Sequence, residues 1–302
     1  MTLLLSSASS NPDPGAAAAQ EFRAARERWP ENLELAWFNI QHCVEARGCN
    51  RNADWRHLQR LDPENAAVWM LAMQAAIQRK DDVGFEQALQ RAADARAYDP
   101  RHGTTFLHVR QVLLSVPMPA SCQHPDTAAE LEKTFGRPAR AIDWANIHAN
   151  AIEVAFIGPG LSALTGCNPD KRPLSTSRRR DCRTLLSRVA QGDTLLERAA
   201  ALGLLVRLVG DGPDHVQLRE RYREQRWLMS VMPRLKLPAD FITRLWTDGE
   251  VPMLQSLATA QGLWPPPPHW LPADARSRAL IQTGRVPPEP RRYVQRPPPQ
   301  AR

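Results

Sequence analysis

Three prolines set the period of this chain. Pro30, Pro63 and Pro100 stand 33 and 37 residues apart. The first two open a literal repeat: Pro30-Glu31-Asn32 with Trp37 behind it, then Pro63-Glu64-Asn65 with Trp69 behind it. The third is a worn copy, Pro100-Arg101-His102, with Phe106 in the tryptophan's place. A period in the thirties with helical spacing inside each unit means stacked helix pairs, since one pair alone cannot bury its apolar face.

The apolar positions agree. Leu33, Ala36, Trp37, Ile40 and Val44 form one helical stripe, and Trp55, Leu58 and Leu61 a shorter partner. Trp69, Met73, Ala76 and Ile77 form the next stripe, Lys80-Asp81-Asp82 the turn, and Phe85, Leu89 and Ala92 the returning helix. Phe106, Val109, Leu113 and Leu114 line a third helix that Pro117 and Pro119 stop. Phe22, Ala25 and Trp29 share one face of a leading helix. Four of the nine tryptophans, Trp29, Trp37, Trp55 and Trp69, fall on these stripes and read as packing knobs.

With Trp69 early in the first helix, Ala92 in the second and Asp99-Pro100 at the close, residues 22–115 resemble the tetratricopeptide-repeat (TPR) superfamily. The departures are the 37-residue interval, Met73 four positions after the tryptophan, and Phe85 at a later small position. The layout is also similar to that of a poorly characterised bacterial group with two helical units and a cysteine-bearing helical second half. That likeness implies no activity.

The second half reads as helical without a period. Residues 138–157 predict a long helix on which Asp143, Asn146, Asn150 and Glu153 share one polar arc. The arc is a possible binding groove, weighed against a solvated face. His148 lies in the sector of Trp144 and Ile152 and reads as a hydrogen-bonded core histidine. Residues 194–209 are apolar nearly all round, which places that helix mid-bundle with Asp193 as its N-cap. Further helices are expected over 215–232, 239–246 and 252–262.

The net charge of +7 is concentrated. From Pro265 on, seven Arg face two acids, and eleven of the 27 prolines fall there. This composition predicts an extended, disordered Pro/Arg-rich tail over 265–302, with Trp264 and Trp270 clamping its start. The remaining 264 residues carry only +2, so no broad basic face for nucleic acid is indicated. Within 171–183, Lys171, Arg172, Arg178, Arg179, Arg180 and Arg183 form a basic loop without interleaved aromatics, read as solvated. No run of apolar residues is long enough to span a membrane. Residues 1–15 read as a disordered leader, and Leu3–Leu5 is too short for a signal-peptide core.

Five cysteines leave at least one unpaired. Cys43 and Cys49 flank a turn containing Gly48, and Cys167 and Cys182 bracket a loop of 14 residues. Two bridges would imply an oxidising compartment, periplasmic or exported, whereas reduced thiols would imply the cytoplasm. Cys122 is expected to be free. Neither Cys43, Cys49 and His57 nor Cys122 with His124 repeats the tight pair spacing of a zinc site, and no metal or cofactor is expected.

The resulting expectation is an all-α chain: TPR-like repeats over 16–116, a helical half over 117–264, then the tail. Its function reads as protein–protein interaction, with an unidentified protein or peptide partner. The alternatives are an enzyme with a site near His148, and a weak nucleic-acid binder through 171–183 and the tail.

Overall fold

The computed structural model describes residues 24–25, 27–41, 51–117, 124–154, 159–210 and 214–286. The Cys43–Cys49 pair, Cys122, the leader and residues 287–302 lie outside them. Within them the chain is all α-helix, with one isolated bridge between Asn65 and Ala97 in place of any strand.

Helices α1 (Leu33–Gln41) and α2 (Arg51–Leu61) form the first unit, α3 (Ala66–Arg79) and α4 (Asp82–Asp94) the second. The repeated asparagine is the helix starter. Asn32 Oδ1 accepts the Leu35 N–H at 2.7 Å, and Asn65 Oδ1 accepts the Ala67 N–H at 3.1 Å. Each satisfies a donor that the first helical turn otherwise leaves unpaired. The helices therefore begin three residues after Pro30 and Pro63, not at the prolines. The repeated tryptophans bond differently: Trp37 Nε1 donates to Asp62, at the start of the next unit, and Trp69 Nε1 to the Pro63 carbonyl of its own turn.

Helix α5 (His102–Ser115) opens the worn third copy and packs on α7 (Ala141–Val154), with α6 (Pro125–Phe135) between them in sequence. Short α8 (Pro159–Leu164) and α9 (Thr176–Val189) stack against α3 and α4 respectively. A disulfide between Cys167 and Cys182, both fully buried, ties the turn after α8 to α9. α10 (Leu195–Val209) runs through the middle against α9 and α11 (His215–Val231), as its all-round apolarity requires. Its N-cap is Thr194 rather than Asp193.

The main core combines residues of α3, α4, α9 and α10, among them Met73, Phe85, Leu89, Leu186 and Leu202. A second cluster joins α11 to α13 (Glu250–Ala260), and a third joins α5 to α7. Seven-residue α12 (Phe241–Thr247) bridges these two, with Phe241 and Leu245 on one and Ile242 and Trp246 on the other.

Folded structure continues past Trp264, where composition predicted the start of the extended tail. Trp270 meets Trp227 edge-on at 5.0 Å, and Arg223 donates to the Pro267 carbonyl. α14 (Ala275–Thr283), capped by Asp274, sinks Leu280 and Ile281 into the main core. The tail's first arginines thus belong to a packed helix. No helix among the described residues is long and apolar enough to cross a membrane.

Candidate functional site

The polar arc of α7 is neither a solvated face nor an open groove. Asp143 is buried, takes both guanidinium nitrogens of Arg137 at 2.7 and 3.0 Å, and accepts the Arg140 N–H. The Arg137 hydrogen bond holds its carboxyl below the usual range against the opposing effect of burial. Asn150 accepts the Trp246 indole N–H at 3.0 Å, which pins α12. Glu153, 1% exposed, meets His102 Nδ1 at 3.2 Å. Asn146 Oδ1 is buried with no hydrogen bond among the described residues. The arc is a polar seam: the turn before α7 holds Asp143, α12 reaches Asn150 and α5 reaches Glu153, so the sequence could identify its residues but not the elements that meet the last two. His148 stacks on Trp144, with ring centroids 6.1 Å apart, away from the seam.

The seam ends at a cleft of about 720 Å³. Three turns form its walls: 96–100 before α5, 191–194 before α10, and 247–250 before α13. Three helix N-termini therefore converge on one cavity, each carrying a partial positive charge. This explains the acids gathered there. Glu250 accepts the Leu195 N–H at the start of α10 at 2.6 Å, Glu197 accepts the Thr194 hydroxyl, and the Asp193 carbonyl takes the Val251 N–H. Burial pushes the Glu250 and Glu153 carboxyls up, against the Leu195 N–H and His102 respectively. Burial also raises Tyr98 well above the usual phenol value, with Glu197 adding to it.

Two glycines allow this convergence. A Cβ on Gly103 would lie 2.3 Å from the Trp246 carbonyl oxygen, so only glycine lets α5 approach α12 this closely. Gly249 has φ +87° and packs on Asp193, whose Cβ would lie 2.9 Å from an added methyl.

α5 is the exception among the repeated helix starts. Its N-cap is Arg101 in left-handed conformation, with no side-chain capping bond. The third copy replaces the capping asparagine by His102, whose imidazole turns to Glu153 instead. The N–H groups of His102, Gly103 and Thr104 have no acceptor among the described residues. The worn repeat was visible in the sequence. Its partner Glu153, 51 residues away, was visible only as part of the arc.

The segment 171–183 is not a solvated loop. Its second half lies in α9, and Arg178 is 6% exposed, stacked on Phe85 at 4.4 Å and 3.1 Å from Glu86. Arg172 pairs with Asp82 and Arg183 with Asp214. A second, shallower hollow of about 610 Å³ runs along the exposed arginines of α9. Among the described residues no group of three potential metal-ligating side chains is assembled.

No protein-family model matches this chain, no curated protein matches it, and no solved structure matches it.

Proposed function

We propose that the protein is an interaction module, TPR-like in its first half, that seats a segment of a partner protein in the cleft between its two halves. The observation that carries this reading is the composite wall: residues 96–104 come from the repeat side, while 188–194 and 245–250 come from the second half. A site assembled from both halves explains why the helix pairs of the array stack on α8 and α9 instead of continuing as a longer solenoid. The Cys167–Cys182 disulfide supports an oxidising compartment for that partner.

A photoreactive side chain introduced at Thr247, in the cleft wall, is expected to capture one discrete polypeptide when the protein is produced in its own cells. The same group at Glu130, on the exposed face of α6, is expected to capture none. Equal labelling from both positions would overturn the reading.

The enzyme alternative moves from His148 to His102, the histidine that a buried carboxylate orients at a cavity. It would require a nucleophile or a bound water beside the imidazole.

A further inference from the structure

We propose that His102, Glu153, Glu197 and Glu250 form a proton-sensitive latch that holds the two halves of the protein together at the cleft and loosens as pH rises. This goes beyond the interaction reading and does not depend on it, since the latch opens with no partner present.

The latch joins four helices. His102 on α5 meets Glu153 on α7 at 3.2 Å, with both side chains buried. Glu250, the first residue of α13, accepts the Leu195 N–H at the start of α10 at 2.6 Å. Glu197, in the first turn of α10, accepts the Thr194 hydroxyl at 2.5 Å. These pairs are not isolated from one another. His102 acts electrostatically on Glu250 as well as on Glu153, and Glu197 acts on both Glu250 and Tyr98. The repeat side thus brings an imidazole and a phenol, and the second half brings all three carboxyls.

One imidazole cannot offset three carboxylates. Fully ionised, the cluster holds at least two uncompensated negative charges in a largely buried interface, where like charges repel strongly. The charged groups on the surrounding turns are engaged elsewhere. Arg101 pairs with Asp99, Arg244 with Asp248 and Arg96 with Glu64. Arg198 interacts with Asp193, and Arg188 donates to the Ala92 and Ala93 carbonyls at the end of α4. Burial raises the Glu153 and Glu250 carboxyls, and Glu197 adds to the rise at Glu250. Their protonated forms therefore favour the closed interface. That contribution is complete below the solvated carboxyl value, about 4.3, and is lost as pH rises through the raised folded values. Tyr98 keeps its proton across this range, because burial raises it well above the usual phenol value.

The test is hydrogen–deuterium exchange of the full-length protein between about pH 4.5 and pH 7.5, corrected for the intrinsic pH dependence of exchange. Protection of residues 96–104, 191–197 and 247–252 should fall about tenfold or more across that range, while that of α3 and α4 holds. Glu153→Gln and Glu250→Gln each keep a hydrogen-bond acceptor but cannot ionise. Each should flatten the fall, and the double variant should flatten it further. Asp248→Asn, outside the latch, should leave it unchanged. The proposal is overturned by protection of the three segments that does not change with pH in the unaltered protein. Loss of protection in α3 and α4 over the same range would also overturn it, as would equal flattening by Asp248→Asn or an undiminished fall in both single glutamine variants.

Discussion

The side-chain amide of Asn65 closes a two-way bond with the backbone of Asp99, 34 residues further on: Oδ1 accepts the Asp99 N–H at 3.0 Å and Nδ2 donates to the Asp99 carbonyl at 2.7 Å. The same Oδ1 caps α3, and the same Nδ2 reaches Asp62. One side chain thus sets both the start of a unit and its distance from the next. Asn65→Ala should cost about 2–4 kcal/mol, the loss of a cap together with buried hydrogen bonds. A urea titration checks it, with a lower midpoint at an unchanged slope as the expected outcome.

Gly103 leaves α12 no tolerance, because the atom facing it is the Trp246 backbone carbonyl and not the end of a mobile side chain. Gly103→Ala should destabilise by about 1–3 kcal/mol through overpacking. Trp246 also stacks on Phe106 at 5.8 Å, so its displacement should appear as a change in tryptophan fluorescence of the native state.

Asp143 stabilises the fold through its charged form. Arg137 lowers its folded pKa, so its contribution is complete above the unfolded value, about 3.9, and is lost as pH falls through the lower folded value. Asp143→Asn should cost about 1–3 kcal/mol at pH 7 and flatten the acid limb of a stability–pH curve. An unaltered acid limb would assign that limb to other carboxylates.

Glu153 behaves in the opposite sense. Burial raises its folded pKa, with His102 opposing, so the protonated carboxyl favours the fold. That advantage is present below the unfolded value and is lost as pH rises through the folded one. The stability of Glu153→Gln relative to the unaltered protein should therefore increase between pH 4 and pH 7, as chemical denaturation at each pH would show.

The Cys167–Cys182 bridge closes a 14-residue loop around fully buried sulfurs. Replacing both cysteines by alanine should cost about 3 kcal/mol in the chain-entropy model. Peptide mass spectrometry after alkylation should find this pair unlabelled in denatured, unreduced protein and labelled after reduction. Labelling without reduction would show the pair to be dithiol in solution.

Local signals determined the helices and their order. The spacing of Trp37, Trp69 and Phe106, the repeated asparagines and the all-round apolarity of 195–209 each act within one or two turns, so the sequence alone carries them. Three features were decided only by tertiary packing. The arc residues Glu153 and Asn150 look like a wet face until His102 of α5 and Trp246 of α12 reach them. Arg178 looks like part of a solvated loop until Phe85 offers it a ring. Residues 275–283 look like tail until Leu280 and Ile281 find the main core. Whether a polar group faces water or a partner depends on residues 50 to 100 positions away, as with His102 and Glu153 or Trp246 and Asn150. No local pattern encodes such distances. The worn third copy shows both sides: the sequence marks where the capping asparagine is missing, and only the fold brings a carboxylate and a cavity to the histidine that replaces it.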